Sequence, residues 1–342
     1  MARYTGIGAT LGLYEEATYG EALKTSSLVE TPDFKGGAES LSAEKEVLRP
    51  EFLESTGLRM GDITVLSETV AGSLMLHPRF NGKAWWAIFS HLCGENSTKS
   101  GTGPYAHTIE FGGAINDQAA PENKGLQLVV DRGGTTGAVG YTGLKPVSAE
   151  MTFAYNAPME LTTEFIGKES ANTTNLTFTE PSNNPLVVAP YQSSTAFLTV
   201  NSVTYDVANA SVKFEQPRIG VQDIASSTIK APQLDGFAKV TGSFETFALN
   251  ETSVAFDTFT AAYRTQTGFA MTYSIAGNDG TNDCTLAVTI PKAVITANPT
   301  SHVDGPGVQR VTVEWEAFID AGTTDYLAQV VLTNSNDLAN GY

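Results

Sequence analysis

Val70-Ala71-Gly72-Ser73-Leu74 and Val240-Thr241-Gly242-Ser243-Phe244 are two versions of one short pattern in a chain of 342 residues. Each runs into a helix-like apolar period, Lys83 to Leu92 and Ser253 to Tyr263. Each then leads to an alternating stretch, Leu161-Thr162-Thr163-Glu164-Phe165 and Val311-Thr312-Val313-Glu314-Trp315. A repeat much longer than a solenoid unit points to a duplicated domain and not to an array. A prior of about 150 residues per domain agrees with two domains.

The alternation sets the fold class. Val147, Ala149, Met151, Phe153 and Tyr155 share one face of a strand, and Ser148, Glu150 and Thr152 share the other. Met159 to Phe165 repeats the pattern with Glu160, Thr162 and Glu164 on its polar face, and Asn156-Ala157-Pro158 between them is a turn, which predicts a hairpin. In the second half Val311, Val313, Trp315 and Ala317 face a core, while Thr312, Glu314 and Glu316 face away. Val240 to Phe247 adds Glu245 to a polar face, and Glu39 to Val47 is strand-like. Strands with one wet face are typical of antiparallel sheets. The first helix has Phe80, Ala84, Trp85, Ile88, Phe89 and Leu92 on one side, Asn81 as a cap and Gly94 at its end. The second keeps Phe256, Phe259 and Tyr263 together, with Ser253 as a cap. Trp85 falls on the buried face and Trp86 at its edge, which favours core packing over a carbohydrate platform. One helix per copy, packed on strands, predicts a mainly β, α+β architecture.

The expected boundaries are an N-terminal arm (1–35), a first domain (36–170), a linker (171–191), a second domain (192–335) and a short tail (336–342). The linker carries Asn172-Thr173-Thr174-Asn175 and Pro181, Pro185 and Pro190. Two long polar excursions, Leu48–Glu68 and Pro217–Lys239, fall in equivalent places. Long loops in compact domains are functional or disordered, and a matched pair favours contact with a partner.

Charge narrows the function classes. There are 37 acidic and 20 basic residues, for a net charge of −17. A nucleic-acid binder needs a cationic surplus to replace counterions on phosphates, and this chain lacks one. Solubility, cation binding or repulsion of a polyanion would each fit the acidity. No apolar run reaches the ~18 residues that span a bilayer. The opening Met1-Ala2-Arg3-Tyr4-Thr5-Gly6 has no signal-peptide core, so folding in a cytoplasm is expected. Cys93 and Cys284 occupy non-equivalent places and are read as buried thiols.

No constellation makes an active site. His77, His91, His107 and His302 lack zinc-pair spacing, and His91 and Cys93, two apart at a helix end, diverge. No G-x-S-x-G elbow occurs. Asp131-Arg132-Gly133-Gly134 and Gly101-Thr102-Gly103-Pro104 match neither phosphate-binding fingerprint and are read as turns. Asn278-Asp279-Gly280 with Asn282 and Asp283 lacks the spacing of a calcium loop and suits a hairpin turn. No catalytic residue, metal or cofactor is expected.

The opening Glu15-Glu16-Ala17-Thr18-Tyr19-Gly20 resembles the "E-x-T-x-Y-G" start of the major tail tube proteins of long-tailed bacteriophages. The likeness continues through Val70-Ala71-Gly72-Ser73-Leu74, Leu128-Val129-Val130-Asp131-Arg132-Gly133, Tyr141-Thr142-Gly143-Leu144-Lys145-Pro146-Val147 and Ile166-Gly167-Lys168. It takes in Val240-Thr241-Gly242-Ser243-Phe244 and Val311-Thr312-Val313-Glu314 in the second half.

The resemblance implies two tandem β-sandwiches, each with a flanking helix, whose inner strands join those of neighbouring subunits into one pore-lining barrel. It implies self-assembly into stacked rings, with three doubled chains imitating a hexamer, and a place in the virion after assembly in the host cytoplasm. Tape-measure, terminator and tip proteins would be its neighbours, DNA would pass without specific binding, and no membrane would be involved. The polar face becomes the lumen, lined by Glu150, Glu160, Glu164, Glu245, Glu314 and Glu316. The excursions become stacking loops, with Arg49, Glu51, Glu54, Arg59, Asp62, Arg218, Asp223, Lys230 and Asp235 as contacts. The alternatives are another β-rich virion protein (terminator, fibre or surface subunit), a carbohydrate-binding module or a hydrolase.

Overall fold

The computed structural model describes residues 10–26, 28–30, 34–48, 51–54, 57–60, 64–94, 98–101, 103–113, 124–131, 138–155, 157–173, 177–179, 197–222, 226–247, 255–278, 282–301, 310–320, 322 and 324–335. The first half contains β1 (Thr10–Glu15), β2 (Leu28–Glu30), β3 (Phe34–Glu39), β4 (Ser42–Leu48), β5 (Glu51–Glu54), β6 (Gly57–Met60), β7 (Thr64–Leu76), α1 (Lys83–Cys93), β8 (Thr98–Ser100), β9 (Tyr105–Phe111), β10 (Leu126–Asp131), β11 (Ala138–Ala154), β12 (Glu160–Gly167), β13 (Glu169–Thr173) and β14 (Phe178–Thr179). The second contains β15 (Leu198–Val200), β16 (Val203–Tyr205), β17 (Val207–Glu215), β18 (Arg218–Ile219), β19 (Gln233–Leu234), β20 (Lys239–Phe247), α2 (Ala255–Thr265), β21 (Phe269–Asn278), β22 (Asp283–Ile295), β23 (Thr300–Ser301), β24 (Arg310–Ala317) and β25 (Ala328–Asn334). The fold is mainly β with two helices among the described residues, as the alternation predicts.

The main antiparallel ladder runs β4–β7–β12–β11–β17–β20–β24. Each strand alternates. Ala149, Met151 and Phe153 of β11, Leu161 and Phe165 of β12, and Val311, Val313 and Trp315 of β24 are buried, while the residues between them stay wetter. Among the described residues this ladder is open: it ends at β4 on one side and at β23 and the tip of β22 on the other. A second ladder crosses the core in each half, β2–β1–β10–β11–β13 and β16–β15–β21–β22–β25. β11 serves both systems, pairing with β10 through its first part and with β12 and β17 through its second.

The registers of the two halves correspond at several places. Gly72 lies opposite Phe165, Ser73 opposite Glu164 and Leu74 opposite Thr163. Gly242 lies opposite Trp315, Ser243 opposite Glu314 and Phe244 opposite Val313. A bulge falls between Leu126 and Leu128 of β10 and recurs between Phe269 and Met271 of β21. Past the strand bend, Glu150 opposite Thr162 is matched by Thr300 opposite Thr312.

The halves are not separately packed. One apolar cluster runs through both. Phe89 of α1 and Phe111 of β9 both meet Phe214 of β17 edge-on, at 4.9 and 5.4 Å. β9, from the first half, pairs along the whole of β25 in the second.

Several local features differ from the sequence reading. Thr10–Glu15, expected in the arm, form β1, because Leu11 and Leu13 alternate into the core. Leu48–Glu68 is largely strand: β5 pairs with β6, and β4 pairs with β7 as far out as Leu48 opposite Thr64. Gly82, not Asn81, caps α1, and the Asn81 side chain instead accepts the Ser335 amide at 3.3 Å. Gly94 closes α1 in the left-handed region, as expected. Ser253 lies outside the described residues. Trp86 is buried like Trp85, pinned between α1 and β9 beside His107. Cys93 and Cys284 are buried free thiols. Among the described residues no helix is long and apolar enough to cross a membrane.

Candidate functional site

The polar face of the main ladder is one continuous surface, because residues directly opposite in an antiparallel sheet point the same way. Three rows cross it. Glu160, Thr152, Ser211, Ser243 and Glu314 form one, and Thr162, Glu150, Lys213, Thr241 and Glu316 form the next. Ser73, Glu164, Ser148, Glu215 and Lys239 form the third. Glu245 stands beside Asn209 and Thr312 in a further row. All of the glutamates expected on a polar face therefore share a single face, opposite the core.

Short polar side chains hold this surface in place. Ser148 Oγ donates to Glu164 Oε2 at 2.9 Å, and Asn209 Nδ2 donates to Glu245 Oε2 at 3.0 Å. Ser40 and Ser73 hydroxyls meet at 3.0 Å, and Ser211 and Ser243 repeat that contact at 3.3 Å. The face also carries cations that the acidic alternation did not reveal. Arg310 pairs with Glu245 at 3.2 Å, Lys239 with Glu316 at 3.6 Å, and Lys213 with Glu215. Contact with the Glu215 carboxylate holds the Lys213 ammonium above its ordinary range, and Glu164 and Glu150 add to the effect. Glu164 and Glu314 are the most exposed carboxylates of the predicted set and sit at matching places, opposite Ser73 and Ser243. Glu215, Glu44 and Glu46 extend the acidic character beyond that set. Sequence alternation could have found Glu215, since it continues the Val212, Phe214 alternation of buried positions on its open side.

The predicted stacking residues are more scattered. Glu51, Glu54 and Arg59 lie on the β5–β6 hairpin, with Glu51 opposite Met60 and Phe52 opposite Arg59. Arg49, Asp62 and Asp223 lie outside the described residues. Arg218 is buried at the start of the β18–β19 pair. Asp235 and Lys230 are exposed, tied by their backbone amides to Pro217 O and Val221 O. The two excursions touch: Glu68 N donates to Ser227 O at 2.7 Å, and the Glu68 carboxylate meets Lys45 at 3.1 Å and accepts from the Ser170 amide at 3.2 Å. Apolar residues, which the charge-led reading passed over, are exposed at these excursions: Leu48 and Leu66 in the first half, Ile219, Val221 and Leu234 in the second, and Phe237 at 96 %.

A third polar centre is buried. Glu16 accepts from Gly20 N at 2.6 Å, Gly143 N at 2.8 Å and Gln127 Nε2 at 3.3 Å. Burial outweighs these donors and holds its carboxyl above the usual carboxylate range. Next to it, Glu15 lies 3.1 Å from Lys124 and 3.5 Å from the wholly buried His91. Burial alone would raise Glu15, but His91 and Lys124 bring it below its usual value. Burial pushes His91 down to about 4. This centre ties the segment after β1 to β10 and β11. It explains the Glu-Glu-x-x-Tyr-Gly wording as an anchor and not as chemistry. Among the described residues no three His, Cys, Asp or Glu side chains gather as a metal site.

A protein-family model described as phage tail tube protein matches residues 6–317. No curated protein matches the chain.

Proposed function

The chain belongs to the phage tail tube protein family, and from that premise we propose that it holds two copies of one tube unit, so that three chains close a ring. It is a structural component of the virion, a subunit of the tail tube. The observation that carries the doubled-unit reading is the seam inside the chain. β11 of the first half pairs with β17 of the second over seven residues, from Ser148 opposite Glu215 to Ala154 opposite Asn209. Two units joined edge to edge leave β4 and β23 as outer edges. Open sheet edges invite pairing with further chains, and closing a sheet into a barrel removes them.

In this reading the wet face with Glu150, Glu160, Glu164, Glu245, Glu314 and Glu316 turns to the lumen. Among the described residues of this face Lys213, Lys239 and Arg310 are each held by a glutamate, which leaves DNA phosphates little cationic charge to meet there. A polyanion then passes without the counterion exchange that drives nucleic-acid binding. The β5–β6 hairpin and the 217–239 excursion, the latter with its exposed apolar residues, contact the next ring. Tape-measure and terminal tail proteins are the remaining partners.

The test is assembly of the purified protein at high concentration. Hollow tubes are expected, and class averages down the axis should have three chains per ring with pseudo-six-fold lining. A monomer that stays monomeric, or a ring of six chains, would overturn the reading.

A further inference from the structure

The internal seam specifies the seam between chains. We propose that β23 of one subunit pairs antiparallel with β4 of a second copy, with Thr300 opposite Ser42 and Asn298 opposite Glu44. This rests on the ring-forming role proposed above and adds the register to it.

The register follows from two equivalences. On one side of the internal seam, Ser211 stands to Ser243 as Ser40 stands to Ser73, with the same hydroxyl contact in each. Counting along the strands, Lys213 opposite Thr241 answers to Ser42 opposite Ala71, and Glu215 opposite Lys239 answers to Glu44 opposite Thr69. On the other side, Thr300 opposite Thr312 answers to Glu150 opposite Thr162. Asn298 lies two residues before Thr300, in the segment between β22 and β23 where Thr296 N already donates to Glu314 O, and it takes the place of Ser148 when β23 is extended backwards in register. Inside the chain Glu150 faces Lys213 and Ser148 faces Glu215. Transferring both sides gives Thr300 facing Ser42 and Asn298 facing Glu44.

The edges look like halves of such a seam. β17, with its outer edge covered by β11, alternates between buried and half-buried positions, whereas β4 is exposed along nearly its whole length. Among the described residues β7 is the only ladder partner of β4, and β24 the only one of β23. Strand addition of this kind draws its affinity from main-chain bonds. Pro299 stands where Ala149 stands in the template, so the seam between chains lacks one N–H donor opposite Ala43. Proline on an exposed edge also restrains pairing with wrong chains.

Disulfide trapping reads the register directly. Gln216 N donates to Val147 O, which makes Ser148–Glu215 a non-hydrogen-bonded pair, the closer kind of cross-strand pair. Its counterpart is tested by mixing Glu44→Cys chains with Asn298→Cys chains under assembly conditions and oxidising. A covalent dimer is expected on a non-reducing gel. The offset mixture, Ser42→Cys with Asn298→Cys, should give at least about tenfold less, because diagonal neighbours lie ~7–8 Å apart and beyond disulfide reach. A second in-register mixture, Ser42→Cys with Thr300→Cys, guards against one variant that fails to fold. Tubes that cross-link only in the offset pair, or in none, overturn the register while leaving the tube reading intact. Failure of the unsubstituted protein to form tubes overturns both.

Discussion

Gly72 presses on Ser40 so closely that a Cβ at position 72 would sit 2.5 Å from the Ser40 carbonyl oxygen. Its φ of +148° is one that side-chain-bearing residues rarely adopt. Gly242 stands in the corresponding place against the Ser211 carbonyl and the Trp315 ring, but without the unusual φ. The same glycine therefore serves two needs in the first half and one in the second. Gly72→Ala should cost roughly 2–4 kcal/mol from strain and overpacking together. Gly242→Ala should cost roughly 1–3 kcal/mol from overpacking alone. Denaturant unfolding of the two variants measures both, and equal losses would refute the assigned role of φ at Gly72.

Glu16 makes a second prediction. Replacing it with Ala leaves the buried donors Gly20 N, Gly143 N and Gln127 Nε2 without their acceptor. The loss should be roughly 2–4 kcal/mol, since each buried unsatisfied donor costs about 1–3 kcal/mol and the site relaxes in part. Amide exchange at Gly143 should accelerate with it. Wild-type exchange at Gly143 in a destabilised variant would show that the anchor lies elsewhere.

The contrast between Gly72 and Glu16 also shows what the sequence makes legible. The paired glycines stand out because short local patterns recur around them, and strand alternation places Glu164 and Glu314 on the same face before any coordinates. The Glu16 centre is invisible at that level, since Gln127 and Gly143 are more than a hundred residues away along the chain. For the same reason the crossing of β9 to β25 and the joining of the halves through β11 and β17 have no local signature. Lys213, Lys239 and Arg310 are plain in the sequence, and alternation alone sets Lys213 beside Glu215, but only the register brings Glu316 to Lys239 and Glu245 to Arg310.

Reversing charge at Glu164 and Glu314 tests the lumen proposal with the least disturbance. Both are exposed, and their backbone partners Ser73 and Ser243 are small. The double variant Glu164→Lys/Glu314→Lys should assemble normally and slow DNA ejection several-fold (~3–10), because each ring would offer phosphates new cationic contacts. Raising ionic strength should reverse the slowing, since the Debye length shrinks from about 8 Å at physiological salt to about 3 Å at 1 M. Normal ejection from assembled mutant tails would remove this face from the lumen.

The β5–β6 hairpin separates ring closure from stacking. It pairs only with itself among the described residues, from Glu51 opposite Met60 to Glu54 opposite Gly57. Replacing residues 51–60 with a short Gly-Ser turn should leave a folded chain whose melting temperature moves by less than about 3 °C, as expected for a surface change of under 1 kcal/mol. Tube formation in negative-stain images should be abolished. Tubes of ordinary length from this variant would exclude the hairpin from ring-to-ring contact.

Acid should destabilise the fold through His91. Buried beside Glu15, His91 is held down to about 4, against 6.5 for a free histidine. The unfolded chain therefore takes up a proton at a higher pH than the folded one. Stability from this group is fully present above 6.5 and is lost as pH falls toward 4. Between pH 7 and pH 5 the loss should be roughly 2 kcal/mol. Glu15, held below its usual value, adds a further loss only at pH below about 4.5, whereas Glu16, held above its usual value, works in the opposite direction above about 4.5, where its protonation in the folded state restores stability. Melting temperature followed from pH 7 to pH 5 should fall in the native protein and stay flatter in His91→Gln, whatever that variant loses at neutral pH. Parallel curves for the two proteins would rule out His91 as the acid-sensitive group.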